Sequence, residues 1–393
     1  MDPWDLADWR HAGLAASTLF PFAGPKLSPE DMVAELREIV ADCPEYYPAL
    51  LNLGTLEAAS GRTEEARKHL LDAAERMAER ERHLEPDLVD LVDGITHRLE
   101  EHLLRYDLAR DILERLAWHY PEEPGFRSDL GMALVLLGDF DEAVRQFQEA
   151  IALAPEDHRH HSDLGWAYLE MGRLKEAKPP LKRALQLHRR YAQARGNLKL
   201  LSFLKNRGGT FEDYLARPMS SADRETLEYE TLTAADVGLT PQTVRQWNHD
   251  RMEAWRRHVC RTWQDPRELE LFKSVRAFFT FLEELDFADF VLYEDVVFLD
   301  IRFDSVFEEF ILRMSDADEE ILEEVCDGLL AFYSYLARKG VVGQDHFADF
   351  QSRVHEMKPT LVEKAERFAA ARSDPSLTQA QKARIRRELF GDL

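Results

Sequence analysis

The chain has 393 residues, enough for two or three domains of roughly 150 residues each. Lys and Arg total 50 against 74 Asp and Glu, a formal net charge of −24, with 45% apolar and 32% charged residues. This balance describes an acidic globular chain, and it excludes a disordered polymer and a surface positive throughout toward nucleic acid or anionic lipid. Residues 1–27 form an N-terminal extension that begins Met1-Asp2-Pro3-Trp4-Asp5, with acids where a secretory leader carries bases. Cys43, Cys260 and Cys326 stand far apart with no C-x-x-C spacing, so neither a disulfide framework nor a cysteine zinc site is expected. No run approaches the ~18 apolar residues of a membrane span, and the cytoplasm is the expected location.

From residue 28 the chain repeats. Leu-Gly, a second Gly seven residues on, then Ala at twelve and nineteen, recurs as Leu53-Gly54, Gly61, Ala66, Ala73; as Leu130-Gly131, Gly138, Ala143, Ala150; and as Leu164-Gly165, Gly172, Ala177, Ala184. A large apolar residue fills the slot sixteen after the first Gly: Leu70, Phe147 and Leu181. Between the first two copies, Ala109, Leu113, Leu116 and Pro121 keep register for a degenerate unit, with extra residues near Glu79–Asp87. Met32, Leu36, Ile39 and Pro44 make a leading half unit. The spacing predicts antiparallel helix pairs. Apolar residues at i, i+3, i+4 and i+7 mark one face of each helix, and small residues sit where the two backbones come close. The second Gly ends the first helix and Pro stops the second. One pair cannot bury its own apolar face, so the pairs must stack.

These units resemble the tetratricopeptide repeat. Gly131-Met132-Ala133-Leu134 with Gly138-Asp139-Phe140-Asp141-Glu142-Ala143 and Ala150-Ile151-Ala152-Leu153-Ala154-Pro155 carries the likeness, as does Gly165-Trp166-Ala167-Tyr168. The aromatic residue usual early in the first helix is replaced by Leu50, Arg127 and His161. The resemblance implies four to five repeats over residues 28–205, one of them degenerate, wound into a superhelix whose concave groove is lined by first helices and takes a protein or peptide. The groove-lining candidates it implies are Leu51, Thr55, Ser128, Met132, Val135, Ser162, Trp166, Leu169, Leu200 and Phe203, with Trp166 the strongest anchor. Groove Lys and Asn, which grip a peptide's terminal carboxylate in some members, are absent from these slots.

Residues 206–225 read as a linker around Gly208-Gly209, and 226–393 as a separate acidic, aromatic-rich helical domain. Within it, Ala234, Gly238 and Val244 fall at helix-turn-helix spacing, weakly over 230–250. Residues 240–263 are locally +3, with Arg245, Arg251, Arg256, Arg257 and Arg261 against Asp250 and Glu253. The same Thr240-Pro241 also opens an ordinary long helix to about Trp263. Asp265–Asp327 then carries 20 acids and 5 bases, −15 of the whole, interleaved with Phe278, Phe279, Phe281, Phe287, Phe290, Phe303, Phe307 and Phe310. That pattern predicts amphipathic helices around an aromatic core. Val296–Phe303 alternates as a short strand would, and further helices are expected over His346–Arg372 and Gln379–Leu389.

Catalytic signatures are missing: no phosphate loop, G-x-S-x-G elbow or H-E-x-x-H occurs. Asp157-His158-Arg159-His160-His161 reads as a solvated helix start, and Asp316–Glu320 lacks the Gly of a calcium loop. The expected architecture is all-α: a helical-hairpin solenoid followed by a separate helical domain. The expected function is a non-enzymatic adaptor holding a protein or peptide partner, with the acidic domain as a second contact surface and no metal or cofactor. The alternative is a regulator that binds DNA through Arg245, Arg251 and Arg256 in 230–262, with the repeats as sensor.

Overall fold

A computed structural model describes residues 2–8, 10–11, 28–81, 86–217, 241–262, 266–283, 293, 296–313 and 319–391. Its described residues are all-helical, and the chain divides into two compact units, Met1–Thr210 and Phe211–Leu393.

The first unit is a run of hairpins. After α1 (Pro29–Asp42) come α2 (Tyr47–Ala59) with α3 (Thr63–Arg80), then α4 (Pro86–His97) with α5 (Tyr106–His119). Next are α6 (Pro124–Leu137) with α7 (Phe140–Leu153) and α8 (His158–Glu170) with α9 (Leu174–Leu187), closed by α10 (Ala192–Arg207). Each helix begins where its sequence permits. Ser28 caps α1 in a reciprocal box with Asp31, and Pro124 opens α6 with the Glu123 carboxylate accepting from Gly125 N–H. Gly138 ends α6 at φ +86°, a left-handed conformation that a side chain resists.

Within each pair the first Gly is a packing requirement. A Cβ built on Gly54 would lie 2.7 Å from Leu70 Cγ, one on Gly131 2.8 Å from Phe147, and one on Gly165 2.5 Å from Leu181 Cγ. Those three partners are the residues sixteen positions on, so the repeat spacing encodes one helix crossing made three times. The degenerate unit departs where its pattern fades: α4 runs into a π-turn at Arg98–His102, and Leu104 follows at φ +55°. Its second helix still buries Ala109, Ile112, Leu113 and Leu116, which join a core continuous from Tyr47 to Ala167. The N-terminal extension contributes one anchored turn. Trp4 packs edge-on to Tyr46 with ring centroids 4.8 Å apart, and the Arg80 guanidinium lies 3.5 Å over its ring.

The second unit opens with α11 (Phe211–Leu215), inside the stretch expected to be linker, and continues through α12 (Pro241–Thr262) and α13 (Pro266–Glu283). Then come α14 (Val296–Ile301), α15 (Phe303–Arg313), α16 (Glu319–Arg338), α17 (Gln344–Ser373) and α18 (Gln379–Phe390). The expected strand at Val296–Phe303 is instead helical. Val296, Leu299 and Phe303 are all buried, at offsets of three and seven that suit one helix face. Its core is a lattice of rings: Phe278 stacks on Phe307 at 5.0 Å and Phe279 on Tyr293 at 3.9 Å, with Phe303, Phe310, Phe332 and Phe350 among the other buried rings. Phe287 and Phe290 lie outside the described residues. Gly328 lets α16 cross α13 closely, since a Cβ there would stand 2.8 Å from the Leu271 carbonyl. All three cysteines are free and buried.

Candidate partner-binding groove

Most of the side chains expected to line the groove are core residues. Leu51, Val135, Leu169 and Leu200 are buried, and so is Ser128. Thr55 is buried with its hydroxyl donating to the Leu51 carbonyl at 2.8 Å, and Ser162 is buried as well. The correction has a plain cause. Each first helix is flanked by its own second helix and by the neighbouring hairpin, which leaves a narrower solvent-facing stripe than the repeat register implies. Met132, Trp166 and Phe203 keep partial exposure, with Met132 and Trp166 leaning on the core beneath.

Acids recur at open or partly open positions of the first helices α4, α6 and α8. Asp93 on α4, Asp129 on α6 and Asp163 on α8 occupy three successive first helices, with Asp93 exposed and the other two half-buried. Asp93 and Asp129 share a side-chain hydrogen bond. Ser128 Oγ donates to Asp163 Oδ2 at 3.3 Å, and His160 Nδ1 meets the same Oγ at 3.0 Å. With Asp163 ionised, the chain of donors runs from the His160 N–H through the Ser128 hydroxyl to the carboxylate. Burial holds His160 below the ordinary histidine range, so the ring is neutral.

Burial sets the titration of these acids, and for Asp129 and Asp93 neighbouring carboxylates add to it. Partial burial, then the charges of Asp93 and Asp163, push Asp129 up to about 7. Burial raises Asp163 to about 7, although Ser128 and Arg159 pull the other way. Asp93, though its side chain reaches solvent, is raised by the desolvation its packed surroundings impose and by Asp90 and Glu123. Asp157 goes down instead, to about 2: burial opposes ionisation there, but the Arg159 guanidinium and backbone N–H overcome it. Arg159 Nη2 donates to Asp157 Oδ2 at 2.7 Å, so the nearby cation is already engaged and the three aspartates are only partly compensated. A missed signal was present in the sequence. Ser128-Asp129-Leu130-Gly131 recurs as Ser162-Asp163-Leu164-Gly165, an identical tetrapeptide at the repeat spacing.

The histidines at the start of α8 have separate partners. His158 stacks on His188 with centroids 4.6 Å apart, and His161 Nε2 donates to the Pro155 carbonyl at 2.9 Å. Asp316 and Asp318 lie outside the described residues, as do Ala234 and Gly238 of the helix-turn-helix pattern. Arg245 is exposed on α12, but two expected phosphate contacts are corrected. Arg251 is fully buried and donates from Nη2 to the Arg217 carbonyl at 2.7 Å, with its guanidinium 4.6 Å from the Trp247 ring. Arg256 is buried and paired to Glu253 at 2.7 Å, a carboxylate it shares with Arg257. A guanidinium spent inside a helix packing offers no charge to a phosphate backbone. Among the described residues, no helix is long and apolar enough to cross a membrane.

Comparison with known proteins bears on the first unit. Two tetratricopeptide repeat patterns match the chain, over residues 127–190 and 48–71. The solved structure of YrrB, described as a TPR protein with an unusual peptide-binding site, is 18% identical with a TM-score of 0.33, covering 50% of this chain and 90% of that one. MamA from AMB-1 is 25% identical with a TM-score of 0.30, covering 46% of this chain and 96% of its own. No curated protein matches the chain. The N-terminal half of this protein, over about residues 48–190, is therefore built of tetratricopeptide repeats, a module of protein–protein interaction.

Proposed function

We propose that this protein is a non-enzymatic adaptor whose repeat groove holds a basic segment of a partner protein. The observation that carries this reading is the line of Asp93, Asp129 and Asp163 on three consecutive first helices. Like charges held close cost free energy that a cation would relieve. A Lys or Arg side chain between two such carboxylates recovers that cost and displaces the proton they share. Trp166 and Met132, partly exposed nearby on α8 and α6, supply apolar contact for the same segment. The acidic second unit is a further contact surface for that partner in this reading.

Isothermal titration of the full chain tests it with a labelled Lys/Leu peptide, a Glu/Leu peptide of equal length serving as control. Binding of the basic peptide alone is expected. The double variant Asp129→Asn, Asp163→Asn should weaken it about tenfold or more, as charged hydrogen bonds are lost. Equal binding of both peptides, or indifference to the double variant, would sink the groove assignment.

A further inference from the structure

We propose that the second-helix face of the repeat unit carries an arginine-docking pocket built on Trp118 and Glu114, distinct from the acidic groove. Trp118 on α5 is 71% exposed, the most exposed of the large apolar side chains among the described residues. It borders a pocket of about 420 Å³ lined also by Leu71 of α3 and by Asp111, Glu114 and Arg115 of α5. An indole of this size left in water costs apolar surface that the adjacent core could have covered.

The charges of the lining select the occupant. Asp111 is held by Arg67 and by Arg110, whose Nη2 lies 2.6 Å from its carboxylate. Arg115 is held by Glu75 at 2.9 Å, and Glu75 also takes His119 Nε2 at 2.9 Å. Glu114 has no ion pair or hydrogen bond among the described residues. It stands four residues before Trp118, one helical turn away on the same face. The pocket thus offers one uncompensated carboxylate beside one open aromatic ring. A guanidinium satisfies both, because it stacks flat on an indole while its N–H fork donates to a carboxylate. An ammonium meets the charge but not the stack. The occupant is an arginine side chain presented by a partner protein, and it sits on second helices whereas the aspartates lie on first helices.

Fluorine NMR on the full chain carrying 5-fluorotryptophan reads this site directly, with the Trp118 resonance assigned by Trp118→Phe. A short arginine peptide should shift that resonance saturably, and its citrulline counterpart, matched in shape but uncharged, should not. Glu114→Gln, at an exposed position where folding is insensitive, should weaken the response roughly three- to tenfold. Asp129→Asn should leave it intact, so failure of the groove reading and failure of this one are separable. An absent shift, an equal shift with citrulline, or an undiminished response in Glu114→Gln would overturn the proposal. So would a Trp118 shift that follows protein concentration without peptide, which would assign the face to a second copy of the chain.

Discussion

The two units bury their apolar surface in different ways. In the first, the same crossing is made three times, Gly54 under Leu70, Gly131 under Phe147 and Gly165 under Leu181. Each hairpin meets chiefly its sequence neighbours, so short-range spacing carries the packing information. In the second, residues far apart in sequence meet in one aromatic lattice. Phe278 touches Phe307, Phe303 lies 5.9 Å from Phe350, and Tyr335 Oη donates to Glu212 at 3.1 Å across more than a hundred residues. Repetition makes a fold readable and spreads its stability along the chain. A single ring-filled core concentrates stability, and its contacts leave no periodic trace.

That contrast can be broken by mutation. The largest effect is expected from Phe307→Ala, which empties the middle of the lattice and should cost about 3–5 kcal/mol. Calorimetry should show the loss in one transition, with the repeat unit's melting unchanged; a matching fall in both would refute separate cores. Gly165→Val forces a side chain against Leu181 and should cost about 1–3 kcal/mol in the repeat unit alone, read by chemical denaturation. A smaller loss of about 1 kcal/mol is expected from Gly138→Ala, where a Cβ meets a left-handed backbone.

Asp129→Asn should act in the opposite direction and depend on pH. With a folded pKa near 7 against an ordinary carboxyl near 4, the folded state binds more protons than the unfolded one between those values. Stability from this group is therefore fully present below about pH 4 and is lost as pH rises to about 7. Removing the charge should stabilise the fold at pH 8 by about 1 kcal/mol, seen as a higher melting temperature, and do nothing at pH 4. A gain that is equal at both pH values would discount the crowded-carboxylate picture.

How far the sequence could be read differs by residue. Gly54, Gly131 and Gly165 announce themselves because a backbone crossing tolerates no side chain. Leu51, Val135 and Leu169 share the groove register yet lie in the core, because a helix register says which residues share a face and not how much of that face a neighbour covers. Asp129 and Asp163 do not stand out even though their tetrapeptide repeats, since an acid in a chain with 74 of them carries no signal until its neighbours are known. Arg251 and Arg256 looked like a basic patch by local charge, yet Arg251 fixes the end of α11 and Arg256 pairs within α12. Val296–Phe303 alternates by eye, and its buried set nevertheless follows the helical period.

By itself the sequence determined the helical-hairpin repeat and its degenerate unit, which rest on short-range spacing, and the acidic character of the chain, which rests on composition. Tertiary structure alone decided which polar side chains face one another. Three aspartates distributed over seventy residues became one crowded row, Glu114 was left as the odd carboxylate beside Trp118, and two arginines were withdrawn into the interior. The physical reason is that burial and charge pairing are properties of a neighbourhood in space. Periodicity specifies a helix face, and only packing specifies what that face meets.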